Sequence, residues 1–245
     1  MTINKIITVS LLFLTTLVLH AQENTEKSAT STQRLARPDL PGHFIFDLGL
    51  NVGINPPDKG WRKGFWGSRT VNVYYYHPIK LAGEKFTLNP GIGLSMERFK
   101  FTNFYLLKDT LPDVEQYDLI PNKIYPGLKK SQLVMNYLEI PLEVRFTANP
   151  ADPSRTFWAS VGGRFGYNIN THTKIKFKED GEMNKLKEGW RHGVSRYRYA
   201  VGARFGVGGF GWFVYYNVTP LFEKDRGPSK TDMSVLTAGI TINGL

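Results

Sequence analysis

From residue 43 to the end the chain alternates apolar and polar or glycine residues with a period of two, eight times over. The first segment sets Phe44, Phe46, Leu48, Leu50, Val52 and Ile54 on one face, and Asp47, Gly49, Asn51 and Gly53 on the other. The same pattern recurs over 68–81, over 86–97 (Leu88, Ile92, Leu94, Met96) and over 137–146 (Leu138, Ile140, Leu142, Val144). It returns over 157–169, 197–207, 210–221 and 232–243. Successive side chains of a strand point to opposite sides, so each segment is a two-faced strand whose apolar face must leave water. Eight such strands predict an all-β chain.

The spacing between segments adds a topology. With each strand taken a few residues past these alternating stretches, the connections are about 13, 2, 32, 8, 25, 2 and 10 residues long, long and short in strict alternation. An antiparallel up-and-down transmembrane barrel of the outer-membrane type has this asymmetry, with short periplasmic turns and longer external loops. An even strand number returns both termini to one side, here the periplasm. The turns near Ala82–Gly83, 149–154 and Gly208–Gly209 fall on that side, and segments 100–131 and 171–194 on the cell surface.

A soluble lipocalin-like barrel would turn its apolar face inward, whereas a membrane barrel turns it to lipid. Three features favour lipid. The polar faces are rich in glycine, which suits a crowded interior. They also carry balanced charge, Asp47, Glu97, Glu139 and Glu143 against Arg145, Arg164, Arg198 and Arg204, and a closed lumen needs each buried charge paired. Finally, aromatics gather near the strand ends, with Phe44, Phe86, Phe157 and Trp212 at one rim and Tyr167, Tyr197 and Tyr199 at the other, as in interfacial girdles. Tyr74, Tyr76, Tyr137 and Trp158 are placed in the lumen, which at eight strands is just wide enough for side chains to fill.

The N-terminus fits export. Residues 1–21 read as a signal peptide, with Lys5 in the charged region, an apolar run from Ile6 to Leu19, and cleavage near Ala21. That run is too short for a comfortable membrane-spanning helix. Residues 22–42 are polar and end in two prolines, which predicts a disordered periplasmic tail, leaving 43–245 as the outer-membrane β-barrel domain. Lys and Arg outnumber Asp and Glu, 31 to 21. Export removes nucleic acid as the partner, so the excess fits contact with outer-membrane lipid head groups or an acidic protein, or equally a merely solvated surface. The loop segments carry part of it, about +2 in 55–67, +1 in 100–131, +2 in 171–194 and +1 in 222–231.

Chemistry finds little purchase. There is no cysteine, which excludes disulfides, thiol nucleophiles and Cys-ligated metals. Gly206, Gly208, Gly209 and Gly211 spell a dinucleotide fingerprint, but a strand follows where that motif needs a helix. Glu139 and Glu143 share a strand face about 13 Å apart, too far for a glycosidase pair. The five histidines, at 20, 43, 77, 172 and 192, lack metal-ligand spacing. The expectation is a non-enzymatic chain with no cofactor, no metal and no small-molecule substrate. Loop 100–131, with Phe101, Phe104, Tyr105, Tyr117 and Tyr125, is long and aromatic enough to be functional or to pack over the barrel mouth.

The segment from Asn136 to Phe146, NYLEIPLEVRF, resembles the characteristic strand of the PorT-like outer-membrane β-barrel family of Gram-negative bacteria. Residues 172–176 (HTKIK) and 220–228 (PLFEKDRGP) extend the similarity toward its PorT/SprT group. The resemblance covers 43–245. It implies an eight-stranded barrel without catalytic residues. It also implies an accessory part in type IX secretion, which exports proteins bearing a C-terminal sorting domain, in contact with other outer-membrane proteins of that system. The reading that competes is a narrow porin or a structural barrel with no secretion role.

Overall fold

The computed structural model describes residues 42–57, 59–61, 68–81, 83–108, 116–152 and 155–244. The segments read as signal and tail fall outside the described residues, apart from Gly42. Twelve strands follow in chain order. The first six are β1 (His43–Ile54), β2 (Arg69–Tyr76), β3 (Ile79–Lys80), β4 (Phe86–Phe101), β5 (Phe104–Lys108) and β6 (Tyr117–Pro121). The others are β7 (Lys130–Thr147), β8 (Phe157–Glu179), β9 (Glu182–Glu188), β10 (Tyr197–Val207), β11 (Phe210–Asn217) and β12 (Ser234–Asn243).

Eight of these form a closed antiparallel barrel. Its wall runs β1–β2–β4–β7–β8–β10–β11–β12, and β12 closes on β1 through pairs such as Leu48 with Ile240 and Leu50 with Ala238. Closure leaves the barrel wall itself without an open edge. One end has the short connections 81–85, 148–156 and 208–209. The other carries two hairpins, β5–β6 and the pairing of β9 with the far end of β8, together with residues 55–57, 59–61 and 218–233. Ile45, Asp47, Gly49 and Asn51 of β1 are buried inside the barrel, while Phe44 and Leu48 are exposed outside. The outer belt continues through Ile92, Ile140, Val161, Val201 and Trp212, each about half exposed or more.

Several strand limits differ from the sequence reading, each for a physical reason. The second segment breaks at His77–Pro78, because Pro78 has no N–H to give the ladder, and resumes as the two-residue β3. The seventh stops at Asn217 rather than 221, since Leu221 and Phe222 leave the wall to pack into the barrel end. The fourth begins at Lys130, and the fifth runs on to Glu179. In β8, Asn168 pairs with Tyr137 and Asn170 with Asn136, which leaves Ile169 without a partner. This β-bulge advances the phase by one residue, so that odd positions face inward beyond it where even positions did before. At a fixed period of two the alternation therefore ends at Ile169 in the sequence, while the strand continues.

Polarity inverts at the same height. Below the bulge apolar side chains face out and polar ones in. Above it Leu133, Met135 and Ile175 face in, and Lys130, Lys174 and Lys176 face out.

Candidate functional site

The inward positions of β7, read from Thr147 to Leu133, pass through every layer of the interior. At the turn end is a cavity of about 520 Å³ lined by His43, Thr87, Asn89, Arg145, Thr147 and Asn243, among others. Its inner boundary is the Arg145 guanidinium, which lies 4.2 Å from the centre of the Trp158 ring. Trp158 is held in turn by its indole N–H, which donates to the Gly208 carbonyl at 2.8 Å.

The next layer centres on Arg204. Its two terminal nitrogens grip Asp47 in bidentate fashion, at 2.5 and 2.8 Å, and Nε donates to Glu143 at 2.8 Å. Glu143 also accepts from the hydroxyls of Tyr76 (2.7 Å), Tyr215 (2.5 Å) and Ser160 (2.7 Å). Asn72 adds a donor to Asp47 at 3.1 Å, and Arg204 donates to Thr241 at 3.0 Å. These bonds tie together β1, β2, β7, β8, β10, β11 and β12, seven of the eight wall strands.

Four residues on along β7 the pattern repeats around Glu139. It accepts from Tyr74, from Arg164 at 3.3 Å, and from two nitrogens of Arg198 at 3.0 and 2.5 Å. Arg198 also donates to Ser95 and approaches Glu97 to 2.6 Å, an ionic contact whose angles lie outside hydrogen-bonding geometry. Each guanidinium lies against a ring as well, Arg164 over Tyr215 at 4.5 Å and Arg198 over Tyr137 at 3.9 Å. Bidentate pairing and aromatic stacking are what distinguish arginine from lysine at buried sites.

Seven of the eight charges singled out in the sequence thus meet in two connected layers. Arg145 does not. It is half-buried, has no carboxylate within 4 Å among the described residues, and faces the cavity. The four-to-four balance therefore resolves into three arginines serving four carboxylates, with the fourth arginine set aside. The cavity lining has no signature in the sequence, because His43, Asn89 and Asn243 come from three distant segments with no shared motif.

Beyond the Glu139 layer the interior holds an apolar plug. Phe99, Leu133, Met135, Phe222 and Met233 are fully or nearly buried, and Trp61 packs on Phe99, Phe101 and Phe222 at ring distances of 5.2, 5.4 and 6.4 Å. Phe104 and Tyr117 of the β5–β6 hairpin pack against this plug. The hairpin is also hydrogen-bonded to segment 218–233, through Tyr117 N to the Arg226 carbonyl (3.0 Å) and Ser229 N to Asp118 (2.8 Å).

The glycines make room for the interior rings. A Cβ on Gly93 would lie 2.5 Å from Tyr74, and one on Gly202 would lie 2.4 Å from Tyr215. Gly206 and Gly211, half of the apparent dinucleotide fingerprint, both flank Trp158, where a Cβ would approach to 2.9 Å. Gly208, with φ of 57°, makes the tight turn. No cluster of three or more His, Asp or Glu able to hold a metal occurs among the described residues.

The family model for the outer membrane protein beta-barrel domain matches residues 46–223. The chain belongs to that family. Its apolar belt is accordingly the lipid-facing wall of an outer-membrane barrel, and the aromatic residues at its two margins sit at interfaces. Among solved structures it is similar to Ail, the attachment invasion locus protein of Yersinia pestis, at 14% identity and a TM-score of 0.35 over 84% of this chain and 98% of that one. It is also similar to the N-terminal β-barrel domain of Pseudomonas aeruginosa OprF, at 8% identity and a TM-score of 0.25 over 83% and 97% of the two chains. No curated protein matches it in sequence.

Proposed function

We propose that this chain is a non-enzymatic outer-membrane barrel that serves type IX protein secretion as an accessory component, acting through protein contacts. One observation carries the reading: the bore is filled from Trp158 through two arginine–carboxylate layers to the Trp61–Phe222 plug. A filled bore offers no path to a solute, so the barrel's ends and walls are what it has to offer. The PorT-like resemblance supplies the system. Its characteristic strand, 136–146, holds Tyr137, Glu139, Glu143 and Arg145, which are the interior contacts just described.

In this reading residues 1–21 are removed on export and 22–42 form a periplasmic tail. The turn end, with its cavity and Arg145, faces the periplasm, and the two hairpins face outward. Partners are other outer-membrane proteins of the secretion system, met at the loops and rims. The test is deletion of the gene in its host, followed by assay of cargo bearing the C-terminal sorting domain. We expect cargo to be retained inside the cell and export to return when the chain is resupplied. Unchanged export would overturn the reading and leave a structural barrel or narrow porin.

A further inference from the structure

The outer wall above the polarity inversion is a cationic surface built across five neighbouring strands. On β4, Arg98 and Lys100 continue the outward line of Leu94 and Met96. On β8, past the bulge, the outward line is His172, Lys174, Lys176 and Lys178. The cations lie directly opposite one another: Arg69 pairs in register with Arg98, Lys130 with Lys176, Lys174 with Lys187, and Lys176 with Lys185. Among the described residues, no outward position of β2, β4, β7, β8 or β9 carries a carboxylate.

Like charges directly opposite on a sheet are destabilising. A fold that sets four like pairs side by side and supplies no carboxylate on that wall leaves the compensating charge to come from outside the chain.

Position selects the source. The cations stand on the wall and not at the loop tips, and on β4 they begin one outward position after Met96, about 7 Å along the strand from lipid-facing side chain to cation. They also occupy one side of the barrel, because β10, β11, β12 and β1 end without such an extension. That is the height at which a membrane barrel meets lipid head groups, and the long stems of Lys and Arg can lie along the apolar wall while their charges reach that layer.

We infer that this face binds the phosphorylated head groups of outer-leaflet glycolipid, with Arg98, Lys100, Lys130, Lys174, Lys176 and Lys187 as its contacts. The assignment to the outer leaflet rests on the orientation proposed above; the binding itself does not.

The experiment uses the full chain refolded in zwitterionic detergent and titrated with diphosphoryl lipid A. The wild type should bind it, should ignore phosphatidylethanolamine, and should lose affinity steeply with salt. Changing Arg98→Gln, Lys174→Gln and Lys176→Gln together should weaken binding on the order of a hundredfold. Because these changes relieve like-charge pairs, the variant should melt no lower than the wild type in the absence of lipid A. Equal binding by wild type and variant would overturn the inference, as would a variant that melts well below the wild type. Tighter binding of polyglutamate than of lipid A would overturn it in favour of an acidic protein partner. Orientation is checked separately, by labelling Lys185→Cys on intact cells with an impermeant thiol reagent. Binding without labelling would keep the site and reject the orientation.

Discussion

Arg204→Ala should cost the refolded barrel about 3–5 kcal/mol. The side chain is fully buried and is the shared partner of Asp47 and Glu143, so its removal leaves two carboxylates facing each other across a space closed to water. The loss comes less from the pair's own energy than from stranding charge in a low-dielectric interior, where desolvation is no longer offset. Urea unfolding in detergent micelles reads it as a lower midpoint. Arg191→Ala is the matched control: its pair with Glu223 is 46% and 30% exposed, and its removal should cost less than about 1 kcal/mol. Equal midpoints for Arg204→Ala and the wild type would mean that the buried layer is not paired as described.

Gly202→Val should cost about 3 kcal/mol, the upper end for overpacking a filled interior. A Cβ at Gly202 would stand 2.3 Å from the Val214 carbonyl oxygen and 2.4 Å from the Tyr215 ring. The ring cannot retreat without surrendering the 2.5 Å hydrogen bond from its hydroxyl to Glu143. The same substitution at Gly189, where nothing lies within 4 Å, should leave stability unchanged. If both variants unfold at the wild-type midpoint, the glycines are not what lets the rings lie flat across the bore.

The sequence discloses the eight strands because lipid enforces a simple rule, apolar out and polar in, over the height of the bilayer. Leu138, Ile140, Leu142 and Val144 could be placed on their face from alternation alone, and the interior positions of Asp47, Glu139 and Arg204 follow from the same period. The rule fails where the lipid ends. Leu133 and Met135 face inward and Lys130 outward, so the first third of β7 has the polarity of a soluble barrel and was not recognised as strand. The unpaired Ile169 compounds this by shifting the phase of β8. Both extensions, and the hairpin built on them, lie where polarity inverts and cations replace the outward apolar positions. The aromatic content of 100–131 did point to packing over the barrel mouth, and Phe101, Leu106 and Phe104 do pack there. Pairing partners were beyond alternation altogether: nothing in the period of β7 distinguishes Arg145, which lies on Trp158 beside the cavity, from arginines that bind carboxylates.

Ion conduction tests the filled bore most directly. The full chain, refolded and inserted into planar bilayers, should show no steady conductance, because Trp158, the two charge layers and the Trp61–Phe222 plug leave ions no continuous water path. A stable open-channel current carried by the wild-type barrel would contradict this and make the chain a narrow porin.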